Sequence, residues 1–131
     1  MPVEVRIAAF GAVLLLIHII AATQAKNMQY GAKWNIGPRD EPLAAPRPVV
    51  GRLIRAQANF LETFPIAVVA LLGVVIANRT SSSTALGGWI WLGARLVYIP
   101  LYAAGVPVVR TLAWTVSIVG LAMVIGPLLF G

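Results

Sequence analysis

The chain of 131 residues contains no cysteine and a single histidine. Without cysteine it has neither a disulfide framework nor a catalytic thiol of its own. Any sulfur chemistry therefore requires a ligand that supplies the sulfur atom. We also predict no metal site.

Charged residues are scarce, at 11% of the chain, whereas hydrophobic residues make up 60%. Soluble domains contain only about 45 to 50% apolar residues, so this composition excludes an ordinary soluble domain and indicates an integral membrane protein in contact with lipid. The formal net charge of +6 does not require nucleic acid, because membrane proteins concentrate Lys and Arg in cytoplasmic loops. We expect no nucleic-acid partner.

Four apolar stretches are long enough to cross a bilayer, which takes about 20 mainly apolar residues. They are continuous rather than alternating, which favours helices over a β-barrel. No internal repeat divides the chain, so we predict one all-α membrane domain over residues 1–131, a four-transmembrane-helix bundle. The predicted helices are about 3–24, 49–77, 84–106 and 108–130, with a loop at 25–48.

Basic residues predict the orientation, because they mark the cytoplasmic side. Arg6 and Arg79 lie on one side, and most other basic residues lie on the opposite side. This second group comprises Lys26, Lys33, Arg39, Arg47, Arg52, Arg55 and Arg110. We expect both termini to face outward and the 25–48 loop to be cytoplasmic. An alternative for the first stretch is a signal peptide, since small residues follow it at 21–25; we expect it to be retained as a span.

Two polar stripes interrupt the apolar helices, because residues three, four and seven apart share one helix face. The second predicted helix carries Arg52, Arg55, Asn59 and Glu62, and the third carries Trp91, Arg95, Tyr98 and Tyr102. A rise of about 1.5 Å per residue places both stripes at similar depth. The predicted convergent set is Arg55, Asn59, Glu62, Arg95, Tyr98, Tyr102 and Arg110.

This set holds three arginines against one carboxylate, so it has guanidinium groups to spare for an anion. Glu62 is able to bind an ammonium group in the same ligand. The alternative is that these groups only neutralise one another and hold the helices in register, as polar residues do in membranes. For His18, a neutral structural role and a catalytic role both remain open.

The two stripes resemble signatures of the MAPEG family, the membrane-associated proteins in eicosanoid and glutathione metabolism. The resemblance rests on Arg55-Ala56-Gln57-Ala58-Asn59 with Glu62 and Pro65, and on Ala94-Arg95-Leu96-Val97-Tyr98 with Tyr102 and Arg110. The 37–41 loop is similar to bacterial members, which implies a bacterial inner membrane.

The resemblance implies a homotrimer that binds glutathione as a cosubstrate between its subunits. It further implies that the protein either transfers glutathione to a lipophilic small-molecule electrophile or uses it to reduce a lipophilic hydroperoxide. It assigns Arg110 as the catalytic residue that stabilises the thiolate. It assigns glutathione binding to Arg55, Gln57, Asn59, Glu62, Arg95, Tyr98 and Tyr102.

Three departures from the family pattern bear on catalysis. Thr63 occupies the place of a tyrosine, the first-loop arginine pair is absent unless Lys26 or Lys33 substitutes, and the spacing from Tyr102 to Arg110 differs by a residue. These departures support an alternative function as a non-catalytic accessory or structural subunit of a larger membrane complex. A third hypothesis, an exporter that works through Glu62, is disfavoured by the arginines around that carboxylate.

Overall fold

The computed structural model describes all residues from Met1 to Gly131, and it contains five helices and no strands. The helices are α1 (Val3–Tyr30), α2 (Ala32–Ile36), α3 (Pro48–Ile76), α4 (Ser82–Ala103) and α5 (Pro107–Phe130). The all-helical expectation is therefore confirmed, with a short helix, α2, that was not predicted.

Three helices, α1, α3 and α5, are long and apolar enough to cross a membrane. The prediction of four spans is not confirmed, because α4 is not among these three. Arg95, together with the tryptophans, tyrosines and glycines of α4, lowers its average hydropathy. Many large apolar side chains are exposed on the bundle surface, as expected where lipid rather than water is the solvent.

The first helix continues well beyond its predicted end at residue 24 and reaches Tyr30. The polar residues after Ala25 end the apolar run, but Lys, Gln and Asn do not stop a helix. It is Gly31 that ends α1, with a φ of 93° that L residues rarely adopt. The part of the predicted 25–48 loop before Ile36 is therefore mostly helical.

An extended segment follows α2 and returns along the end of α1. The side-chain amide of Gln29 makes two hydrogen bonds to this segment: its nitrogen donates to Ala45 O at 3.0 Å, and its oxygen accepts from Arg47 N at 2.8 Å. The Tyr30 hydroxyl donates to Ala44 O at 2.8 Å. The segment leads into α3, which begins at Pro48, where a missing N–H costs nothing because the first helical turn has no acceptor for it.

The bundle pairs α1 with α3 and α4 with α5. The pairs share an apolar core that includes Leu14, Phe60, Leu71, Trp91 and Val124. The axes of α4 and α5 approach closely at Gly87 and Gly120, where a Cβ built on either glycine would lie 2.6 Å from the carbonyl oxygen of the other. This contact places the polar stripe of α4 beside the first turns of α5.

Candidate functional site

Arg95 lies inside the bundle and is 0% exposed. Its Nη1 donates to Asn59 Oδ1 of α3 at 2.9 Å. Its guanidinium carbon lies 4.3 Å from the ring centroid of Tyr98 and 5.3 Å from that of Phe60. Two aromatic faces and one neutral amide therefore surround a buried cation.

The other donors of Arg95, Nε and Nη2, are buried and have no hydrogen-bond partner. Leaving a buried donor unpaired costs about 1 to 3 kcal/mol, and more for a charged group. Buried arginines usually pair with carboxylates, but the only side chain that accepts from this one is an uncharged amide. The chemistry of the site thus favours an anionic ligand that would accept these N–H groups.

A chain of contacts leads from Arg95 toward the α4–α5 turn. The rings of Tyr98 and Tyr102 lie 5.4 Å apart, and the guanidinium carbon of Arg110 lies 4.6 Å from the Tyr102 ring centroid. Arg55 of α3 donates from Nε to the Tyr102 hydroxyl at 3.2 Å. Tyr102 therefore contacts two arginines from two helices, one through its hydroxyl and one through its ring.

A cavity of about 270 Å³ lies at this cluster. Its lining consists of Asn59, Tyr98, Tyr102, Arg110, Thr111 and Trp114. Arg55 and Thr111 are exposed, so the cluster lies at the surface of the single chain. The donors and aromatic faces around the cavity suit a small anion with polar groups.

Thr111 and Trp114 were not predicted as site residues. The indole N–H of Trp114 is buried without a partner, and the side chain lines the cavity. An isolated indole in an apolar helix has the same sequence pattern as a core residue, so the sequence alone did not indicate a site at Trp114. Its position four residues after Arg110, on the same helix face, was the available signal.

The structure brings together six residues of the predicted convergent set, namely Arg55, Asn59, Arg95, Tyr98, Tyr102 and Arg110. It does not bring Glu62 to them, because Glu62 is exposed on the surface of the single chain. Gln57 is partly buried on α3 and does not line the cavity. Neither side chain contributes to the site within one copy of the chain.

A second, wholly apolar groove of about 310 Å³ runs between α1 and α4. Phe10 and Trp89 lie at one end, Ile17 and Leu96 at the other, and all of its lining residues are hydrophobic. Its lining suits a hydrocarbon chain.

The sequence profile of the MAPEG family matches residues 7–130, nearly the whole chain. A search among curated proteins finds no match.

Proposed function

This chain belongs to the MAPEG family, and from that premise we propose that it is a membrane-bound glutathione-dependent transferase or peroxidase that acts on lipophilic electrophiles. The unpartnered donors of buried Arg95 are the observation that carries this proposal. Glutathione has two carboxylates and an ionisable thiol, so it offers the anionic acceptors that the cluster lacks.

The proposed assembly is a homotrimer in a bacterial inner membrane, in which residues 1–131 form one membrane domain. In it, α4 is the fourth span, and packing against α5 shields its polar residues from lipid. The termini face outward and the segment between α1 and α3 faces the cytoplasm. The site at Arg55 and Thr111, which is open in one chain, is completed by a neighbouring copy.

Each side chain has a proposed part in holding glutathione. Arg95 and Arg55 bind its carboxylates, for which the planar guanidinium fork is suited. Asn59 fixes Arg95, and the hydroxyls of Tyr98 and Tyr102 bind its amide groups. Glu62, exposed on one copy, binds the ammonium group across the subunit interface, with Gln57 beside it.

Arg110 is the proposed catalytic residue. The thiolate is the reactive form of a thiol, and a nearby guanidinium lowers the thiol pKa by stabilising that anion. The sulfur lone pair then forms the new bond to an electrophilic carbon, and the bond from that carbon to a leaving group breaks, so that the leaving group departs with the electron pair. With a hydroperoxide, the sulfur instead bonds to the terminal oxygen, the O–O bond breaks, and the other oxygen leaves as an alcohol after it takes up a proton. A second glutathione then reduces the resulting sulfenic acid, which yields glutathione disulfide and water. The apolar groove between α1 and α4 would admit the hydrocarbon part of the electrophile from the bilayer.

Thiolate absorbance provides the test. Glutathione is titrated into purified protein in detergent near neutral pH, with the Arg110→Ala variant as comparison. We expect the natural chain to give a thiolate signal. The Arg110→Ala variant should lose this signal although it still binds glutathione. Absence of the signal from the natural chain would contradict the proposed chemistry.

One observation favours a second candidate, a non-catalytic accessory subunit of a larger membrane complex. Thr63 is buried and its hydroxyl donates to Phe60 O at 3.3 Å within its own helix, so it does not replace the phenol that relatives in the family carry there. Isolation from membranes with a stoichiometric partner, together with no glutathione binding, would favour this candidate over the enzyme.

A further inference from the structure

His18 is buried on α1, 3% exposed, and its Nε2 has no hydrogen-bond partner. Its imidazole stacks on the Phe60 ring, with ring centroids 4.9 Å apart and an interplanar angle of 26°. The Arg95 guanidinium carbon lies 5.3 Å from the same centroid. His18 and Arg95 therefore share one buried layer, organised around one phenylalanine ring from α3.

The unpartnered atoms of this layer are complementary. Arg95 contributes two spare donors, Nε and Nη2, and Trp91, stacked on Phe60 at 6.0 Å, contributes a third at Nε1. Of the unpartnered atoms around Phe60, only His18 Nε2 is able to accept a hydrogen bond, when its imidazole is neutral and carries its proton on Nδ1.

We propose that His18 is a positioning residue for Arg95: one buried water accepts a hydrogen bond from a spare Arg95 donor and donates one to His18 Nε2. Buried waters commonly join polar groups that have no direct partner. The bond orients the guanidinium from the α1 side while Asn59 orients it from the α3 side. The remaining donor then has a fixed direction toward the ligand.

The consequence for glutathione rests on the function proposed above. An arginine held from two helices loses less conformational freedom when a ligand binds, so binding is tighter. Removing the acceptor at position 18 should therefore weaken glutathione binding even though His18 does not touch glutathione.

Two variants separate the hydrogen bond from ring packing. His18→Phe keeps an aromatic ring against Phe60 but removes the acceptor, and His18→Gln removes the ring but places an amide oxygen near the Nε2 position. We expect His18→Phe to weaken the Kd for glutathione roughly tenfold, as for one bond to a charged group, and His18→Gln to retain affinity within about threefold. Ile20→Ala, at an exposed position of the same helix (57% exposed), is the control.

Equal weakening by both variants would overturn the proposal in favour of packing, and so would unchanged affinity in His18→Phe. If His18→Phe does not yield folded protein, His18→Leu supports the same comparison with His18→Gln.

A second readout does not depend on glutathione. Protein labelled with ¹⁵N-arginine gives guanidinium signals, and the signal lost in Arg95→Lys identifies Arg95. We expect His18→Phe to shift this signal and speed its hydrogen exchange, and His18→Gln to restore it. If the Arg95 signal changes in this way but the natural chain does not bind glutathione, the proposed function fails and the His18 inference stands. If the Arg95 signal is unchanged in His18→Phe, the His18 inference is overturned and the proposed function is unaffected.

Discussion

Arg95 Nη1 donates to Asn59 Oδ1 at 2.9 Å across the contact between α4 and α3. Because the acceptor is an amide, this bond fixes the guanidinium without cancelling its charge. A carboxylate at position 59 would form an ion pair there and satisfy the cation within the chain. The amide thus keeps the buried charge available to a ligand.

Asn59→Asp should therefore block the site while the fold remains stable. The new carboxylate pairs with Arg95 and repels the carboxylates of glutathione; two charges about 4 Å apart interact by about 4 kcal/mol at an effective dielectric constant of 20. We expect the Kd for glutathione to rise at least tenfold and the thermal midpoint to stay equal or increase. Calorimetric titration and thermal unfolding in detergent measure both.

Gln24→Glu is the matched control, because it makes the same chemical change at an exposed position of α1. It should leave glutathione affinity unchanged. Tight binding by Asn59→Asp would show that the charge of Arg95 does not hold the ligand.

The two contacts of Tyr102 can be separated by substitution. Tyr102→Phe removes the hydroxyl that accepts from Arg55 Nε but keeps the ring beside Arg110. We expect the KM for glutathione to rise about threefold to tenfold, the effect of one hydrogen bond, with little loss of thiolate absorbance at saturation. Steady-state kinetics and ultraviolet absorbance provide the measurements.

Tyr102→Leu also removes the aromatic face beneath Arg110, a contact worth about 0.5 to 2 kcal/mol. Its thiolate signal should fall even at saturating glutathione. A Phe variant that loses the thiolate signal as fully as the Leu variant would contradict the separate roles of hydroxyl and ring.

Helical periodicity was sufficient to place Asn59 and Arg95 on facing stripes, because the geometry of a helix alone sets which residues share a face. It was insufficient for Glu62, which lies three residues after Asn59 and hence about 60° around the helix axis. That rotation leaves Glu62 exposed on the single chain. A contact between copies, which we propose for Glu62, has no signature in the periodicity of one helix.

Helix ends were less predictable than helix faces. The apolar pattern stops before Lys26, although the backbone remains helical until Gly31 interrupts it. Similarly, α4 meets the length of a span while its polar and aromatic residues lower its hydropathy. Hydrophobicity reports on the surroundings of a segment, whereas backbone conformation depends on glycine, proline and capping residues.

The close approach of α4 and α5 predicts contrasting effects of two glycine substitutions in α5. A Cβ at position 120 would lie 2.6 Å from both Gly87 O and Trp91 N, which are backbone atoms that cannot yield. We expect Gly120→Ala to lower the free energy of unfolding by about 1 to 3 kcal/mol or more. Thermal unfolding in detergent, with a check of helix content by circular dichroism, measures this loss.

Gly126→Ala is the control in the same helix, since a Cβ there has no heavy atom within 4 Å. It should be neutral or stabilising by up to about 1 kcal/mol, from the better helix propensity of alanine. Equal destabilisation by both substitutions would show that backbone proximity at Gly120 is not the cause.

Glu4 supports a prediction at the opposite end of the bundle from the candidate site. It is 2% exposed, and Thr84 Oγ1, itself fully buried, donates to its Oε1 at 2.7 Å. The same hydroxyl accepts from Ser81 N at 2.8 Å as part of the capping box that begins α4.

Thr84→Val keeps the side-chain shape but removes both bonds, so we expect a loss of about 1.5 to 3 kcal/mol in unfolding free energy. Thr84→Ser keeps the hydroxyl and should lose less than about 1 kcal/mol, the transfer term of one methyl group. Since the candidate site lies at the other end of α4, both variants should bind glutathione as tightly as the natural chain does. If Thr84→Val has the same free energy of unfolding as Thr84→Ser, the buried carboxylate of Glu4 does not depend on this hydroxyl.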